Sequence, residues 1–299
     1  MIKWCFYIMN KKGFTTLNDV VNKFGSDIFE FVVVERDEKV VQDYYDSIVS
    51  FCHKYQILYY KRGGEKKHTT NFKLKKIAIG WRWLIIENEN LIVLHDSLLP
   101  KYRGFTPLVT ALINGEKQIG VTSLLANKSY DTGDILIQKV LDVSYPMKIK
   151  DAITIISELY SKIVIELINS YIYNIHIQSS KQNNREASYS MWRDELDYQI
   201  NWHKDATYIS RQIDALGFPY QGAQTYVNSH LIKIFESELV EDVSIVNRDE
   251  MVGKVIFLDK GKPIIVCGNG LLKIHEAIDS RTGKSLLPLK KIRLRFGKL

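Results

Sequence analysis

Residues 91–136 read LIVLHDSLLPKYRGFTPLVTALINGEKQIGVTSLLANKSYDTGDIL. The apolar run Leu91–His95 predicts a strand, and its last residue is a histidine that opens the loop HDSLLPKYRG. Pro100 and Gly104 fix that loop, and the Ser97 hydroxyl can bond to backbone within it. Thr106–Asn114 has a helical pattern with Gly115 just past its end, where a left-handed residue commonly closes a helix. Further strand-like runs follow at Ile119–Ala126 and Ile135–Val143, joined by the polar loop NKSYDTGD.

Working outward from this stretch, short apolar runs alternate with helical patterns. Trp4–Met9, Phe29–Glu35, Gln56–Tyr60 and Ile77–Gly80 predict strands; Thr16–Phe24, Glu38–Cys52 and Lys150–Asn174 predict helices. FEFVVVE at 29–35 is apolar and β-branched, as a strand buried on both faces should be. This succession argues for an α/β domain with an open sheet over residues 1–180, whose ligands bind beyond the carboxyl ends of the strands. SSKQNN at 179–184 reads as a polar linker. After it come a helix at Asp205–Leu216 and short glycine-punctuated β segments near 222–236, 251–257, 263–267 and 271–277, so 181–299 predicts a smaller β-rich domain.

Composition narrows the class. With 45% hydrophobic and 25% charged residues the chain is neither disordered nor collagen-like. No run of about 18 apolar residues predicts a membrane helix. MIKWCFYIM lacks the length and cleavage site of a signal peptide, so a cytoplasmic protein is expected. Cys5, Cys52 and Cys267 are too far apart for a metal or redox motif, and the seven histidines form no zinc pattern, so no metal is expected. The net charge of +7 is local: 61–76 holds seven Lys or Arg against one Glu, and the last ten residues hold five with no acid. Such segments are ordinarily solvated; an anionic ligand, phosphorylated metabolite or RNA, is the functional alternative.

His95 and Asp131 are 36 positions apart and fall on two loops that leave neighbouring strands. Each alone is an ordinary loop residue. Together they could meet across one pocket, the carboxylate orienting or charging the imidazole.

The combination of H-D-S-L-L-P-K-Y-R-G at 95–104 with D-T-G-D at 131–134 resembles the formyltransferases that use 10-formyltetrahydrofolate. The resemblance is good over about 77–145. It extends loosely to 188–240, where MWRDELDYQINW and RQIDALGFPYQGAQTYV are similar to the start of the second domain in the tRNA and sugar enzymes. It implies a Rossmann-like formyltransferase core and a C-terminal β-rich, barrel-like domain. It also implies that His95 donates a hydrogen bond to the oxyanion formed when an amine attacks the formyl carbon, while Asp131 holds the histidine and manages the amine proton. Trp83, Leu84, Ile85 and Ile86, with Asn127, Tyr130 and Asp131, would wall the pterin pocket.

One departure stands out. The family carries Asn two residues before the histidine, whereas this chain has Val93, on the same strand face as His95 and unable to donate. Asp96, beside His95, is also unusual for the family. Asn88, Asn127 and Ser97 are candidate replacement donors, and the sequence does not choose among them.

For the amine, G-W-R-W-L-I at 80–85 and the aromatic-rich start of the second half resemble the sugar N-formyltransferases. The implied substrate is a nucleotide-linked amino sugar, a precursor of lipopolysaccharide O-antigen or another surface polysaccharide. Arg103, Trp192, Arg193, Arg211, Phe218 and Tyr220 are candidate contacts: aromatic faces can stack on a base, and guanidinium groups can pair with a pyrophosphate. Methionyl-tRNA formyltransferase is the alternative enzyme reading, and a non-catalytic folate or sugar-nucleotide binder is a third. Neither a membrane nor a nucleic-acid partner is expected; a homodimer is left open.

Overall fold

The computed structural model describes residues 2–85 and 89–297. The chain packs as two compact units. The first comprises Met1–Leu108, Lys117–Val143 and Asp151–Met191; the second comprises Val109–Glu116, Ser144–Lys150 and Trp192–Leu299. Among the described residues no helix is long and apolar enough to cross a membrane.

The first unit is built on strands β1 (Ile2–Ile8), β2 (Phe29–Val34), β3 (Tyr59–Lys61), β4 (Lys73–Ile79) and β5 (Leu91–His95). The short strand β6 (Arg103–Gly104) follows, then β7 (Gln118–Leu125) and β8 (Ile135–Asp142). The main sheet has the order β3-β2-β1-β4-β5-β7-β8. Its first five strands are parallel, the 3-2-1-4-5 order of a Rossmann-like sheet. β7 and β8 are added antiparallel.

β1 and β2 are apolar on both faces because both faces are covered. On one face Cys5, Tyr7, Phe31, Val33, Ala78 and Leu91 form a cluster capped by Trp81, Ile85, Val93 and Ala126. Fully burying each such side chain stabilises the fold by about 1.5–3 kcal/mol. Burial also pushes the Cys5 and Cys52 thiols up to about 12, so they act as small apolar groups rather than nucleophiles.

The helices are α1 (Asn10–Phe24), α2 (Tyr45–Lys54), α3 (Pro107–Asn114) and α4 (Ile149–Ile172). Two depart from the sequence pattern. α1 starts at Asn10 rather than Thr16, straight out of β1, and buries Gly13, Thr16, Leu17, Val20 and Val21. Thr16 is therefore an interior residue of the helix and not its start. Residues 38–44 are not helical, because aspartates capture the backbone there. Asp43 accepts from the amides of Asp37 and Tyr45 at 3.2 and 3.1 Å, and Asp37 accepts from that of Lys39 at 3.1 Å.

The short strand β9 (Tyr189–Ser190) pairs in parallel with β6. Gly104 has φ +98°, and a Cβ there would lie 2.7 Å from the Ser190 carbonyl oxygen, so glycine is required at this close approach. The stretch 179–184 is not a free linker. Ser180 exchanges backbone hydrogen bonds of 2.8 and 2.9 Å with Ile135, at the start of β8.

In the second unit α5 (Ala206–Leu216) accompanies strands β10 (Ala223–Val227), β11 (His230–Val240), β12 (Val255–Asp259), β13 (Lys262–Val266), β14 (Leu271–Asp279) and β15 (Phe296–Gly297). They form one antiparallel sheet in the order β12-β13-β14-β11-β10-β15. α5 turns Ile209 and Ile213 into the core. Trp202 is buried edge-on to Phe296 and donates through Nε1 to Thr225 Oγ1 at 3.0 Å.

Asp214 on α5 is 7% exposed, and burial raises its pKa to about 6, opposed by Lys148 and aided by Glu236. A carboxyl raised on folding costs nothing below its unfolded value near 4. Stability is lost as pH climbs from there through 6, by about 3 kcal/mol in all. Asp214→Asn is therefore expected to raise the melting temperature at pH 7.5 and to leave it unchanged at pH 3.5, as followed by circular dichroism. An equal effect at both pH values would refute this account of Asp214.

Candidate active site

His95 is the last residue of β5, at the carboxyl edge of the parallel strands, and is 7% exposed. Its Nε2 lies 2.8 Å from the Tyr102 carbonyl oxygen. A carbonyl only accepts, so Nε2 carries the hydrogen. Nδ1 then faces Asp131 Oδ2 at 3.6 Å. The same Oδ2 accepts from the Gly104 amide at 2.8 Å. One carboxylate oxygen is thus held by a fixed backbone donor beside an imidazole whose orientation is set from its other side. A pair so arranged can pass a proton between them, or hold one against a developing charge.

Asp131 does not arrive from the strand end where His95 sits. β7 runs antiparallel to β5, pairing Thr122 with His95 and Leu125 with Ile92, so it exits beside the amino end of β5. The Ala126 amide bonds to the Leu91 carbonyl at 3.0 Å. From Leu91 to His95 is about 13 Å at about 3.3 Å per residue. The loop 126–134 must double back to bring Asp131 to the imidazole. Asp131 itself adopts φ 53°, the left-handed region.

Below His95, Asp96 is almost enclosed, with Lys12 of α1 paired to it and the Tyr160 hydroxyl donating to it. Burial alone would raise its pKa, but Lys12 and the hydrogen bonds outweigh it and hold the carboxyl below its usual range. Tyr160 is held well above the usual phenol range, first by burial and then by Asp96. The unusual residue beside His95 therefore ties the end of β5 to α1 and α4.

The other expected residues are distributed as follows. Val93 packs in the apolar cluster with Ile85 and Ala126. Trp83 stacks under the Arg62 guanidinium, 4.5 Å from the ring centre, and meets Trp81 edge-on. Leu84 and Tyr130 are exposed, and Tyr130 lies 6.3 Å from the Phe105 ring. Ile86 and Asn88 lie outside the described residues. Asn127 is exposed and accepts through Oδ1 from the Ser129 amide and the Thr132 hydroxyl, each at 3.0 Å. Ser97 donates its hydroxyl to the Lys101 carbonyl at 2.6 Å, so it has no proton left for an oxyanion.

Arg103 is 2% exposed and is spent on Gln182, Asn184 and Tyr189. In the second unit Trp192 and Phe218 are exposed. Arg193 donates to Thr110 at 3.2 Å, and Arg211 donates to the Ile113 carbonyl at 2.9 Å, closing the end of α3. Tyr220 is half-buried in the turn after α5.

Gln182 was not among the expected residues. Its local sequence, polar and without period, gives no signal of a site.

The chain belongs to the formyl transferase family. A family model described as Formyl transferase matches residues 82–168, and one described as Formyl transferase, C-terminal domain matches 194–289. Among curated proteins it is 29% identical over 197 residues to methionyl-tRNA formyltransferase of Syntrophomonas wolfei, covering 66% of this chain. It is 32% identical over 185 residues to that of Clostridium novyi, covering 62% of this chain. The matches span 60% and 58% of the lengths of those relatives. Among solved structures, WlaRD, a sugar 3N-formyl transferase in the presence of dTDP and 5-N-formyl-THF, superposes with TM-score 0.69 at 21% identity, covering 96% of this chain and 98% of that one. The N-formyltransferase from Helicobacter canadensis, in complex with folinic acid and dTDP-3-aminofucose, superposes with TM-score 0.66 at 21% identity, covering 92% and 98%. At these identities the superpositions speak to the fold.

Proposed function

We propose that the protein transfers a formyl group from 10-formyltetrahydrofolate to the amine of a nucleotide-linked amino sugar. The observation that carries the transfer chemistry is the His95–Asp131 pair, 3.6 Å apart with the Gly104 amide on the carboxylate. The residues fit a folate: Ile85, Val93 and Ala126 offer an apolar wall, and Asn127 and Tyr130 lie on the loop that carries Asp131. The folate supplies an electrophilic one-carbon unit. His95, whose Nε2–H is held by the Tyr102 carbonyl, supports the negative charge that develops on the formyl oxygen through Nδ1, in its doubly protonated form, with Asp131 facing that side of the ring. Asp131 takes the proton that the amine loses as its C–N bond forms, and that proton returns to the nitrogen that leaves.

The superpositions support the sugar reading: WlaRD matches 96% of this chain with TM-score 0.69, against 80% and 0.55 for methionyl-tRNA formyltransferase from Clostridium thermocellum. The higher sequence identity to the tRNA enzymes keeps methionyl-tRNA as the second reading.

Thermal shift with dTDP, UDP and GDP separates them. One nucleotide at 100 times its Kd should add about 2.7 kcal/mol of stability. Formyl transfer is then assayed on the matching amino-sugar nucleotide and on methionyl-tRNA. No shift with any nucleotide, together with turnover of the charged tRNA, would reverse the order of the two readings.

A further inference from the structure

We propose that Gln182 is a positioning residue that holds Asp131 against His95. This rests on the formyl-transfer reading for its kinetic consequence, but not for its geometry.

The Gln182 amide is fully engaged. Its oxygen accepts from Arg103 Nε at 3.0 Å and Nη2 at 2.8 Å. Its nitrogen donates to the carbonyls of Asp131 at 2.8 Å and Gly133 at 2.7 Å. Two acceptor sites and two donor hydrogens are all that a primary amide has. Gln182 therefore bridges two loops. One carries Arg103 and Gly104 and follows β5; the other carries Asp131 and joins β7 to β8.

The bridge has a task. The Asp131 loop leaves its strand at the far end of β5 and must double back, and Asp131 sits at φ 53°. A residue in the left-handed region is held there by its surroundings. Gln182 grips the Asp131 carbonyl while the next residue after Arg103, Gly104, grips the Asp131 carboxylate. Both ends of the aspartate are thus referenced to the segment that also supplies the Tyr102 carbonyl to His95. Arg103 is itself immobilised by Gln182, Asn184 and Tyr189, all uncharged, so it serves as an anchor and not as half of an ion pair among these contacts. A misplacement of about 1 Å in a reacting constellation can cost about 100-fold in rate.

The test is Gln182→Glu. It keeps both acceptor sites for Arg103 and removes both donors to the Asp131 loop. The expected result is a kcat lower by about tenfold or more with KM for each substrate within about twofold, since ground-state contacts are untouched. The second readout is the ring-nitrogen NMR signal of His95, assigned by its loss in His95→Gln; it should move in Gln182→Glu. Should Gln182→Glu fail to fold, Gln182→Met, of similar size and without donors, carries the same two measurements. Parental kcat, or a reduced kcat with an unmoved His95 signal, would overturn the proposal. If the parent protein formylates neither amine, the formyl-transfer reading fails alone. The His95 signal then still decides the positioning role: a shift sustains it and an unmoved signal overturns it.

Discussion

Replacing His95 by alanine is expected to lower formyl transfer by about four to five orders of magnitude while leaving the protein folded and the folate bound. Two effects combine. The oxyanion loses the Nδ1–H that the doubly protonated imidazole offers, and losing one donor typically costs about 100- to 1,000-fold. Asp131 loses the imidazole 3.6 Å away, and with it a partner for proton transfer, a further factor of about 100 by general acid–base precedent. The fold should tolerate the change. The Tyr102 carbonyl loses its bond to Nε2 but retains a weaker one from the Ser190 hydroxyl at 3.4 Å. His95→Gln is the control, since its amide can still donate to Tyr102 without an imidazole. Both variants should bind 5-formyltetrahydrofolate like the parent, because His95 is assigned to the transition state. A His95→Ala protein with near-parental turnover removes the histidine from the chemistry.

What could be read in the chain divides along physical lines. β5, α3, β7 and β8 lie within a residue or two of expectation, because each is set by apolar periodicity and closed by local signals such as His95 and Gly115. The start of α1 was hidden because Met9 caps it without a side-chain bond, leaving no capping residue to recognise. The loop before α2 was hidden for the opposite reason. Its aspartates read as helix-compatible charges but bind backbone amides instead. His95 and Asp131 were legible as a pair of motifs, but their route together was not. It depends on an antiparallel β7 and on a loop that returns along the sheet. Gln182 was illegible because its partners stand 49 to 79 residues away, and nothing about a glutamine in SSKQNN distinguishes a bridge from a linker.

Val93→Asn is expected to raise kcat while lowering stability. Val93 precedes His95 by two residues on β5 and packs against the cluster that contains Ala78 and Leu91; of the other described side chains packed there, Ile85 and Ala126 have no hydrogen-bond donor, while Trp81 and Tyr60 carry one each. Ser97, the nearest hydroxyl in sequence, donates to Lys101. Most of the described side chains packed with Val93 are apolar, and an amide at 93, on the same strand face as His95, would add a donor there. One such donor is worth up to about 3 kcal/mol, so a gain of about 150-fold is the upper end of the expected range. The cost arises from the same surroundings: an amide among Trp81, Ile85 and Leu91 has unmet hydrogen-bonding capacity when no substrate is bound, which costs about 1–3 kcal/mol. A lower melting temperature with a higher kcat is thus the signature of a donor restored to an apolar site, and saturating folate should recover part of the stability. Unchanged or reduced turnover would show that the oxyanion already has its second donor. Asn127, whose Oδ1 is held by Ser129 and Thr132 on the Asp131 loop, would then be the residue to replace by alanine.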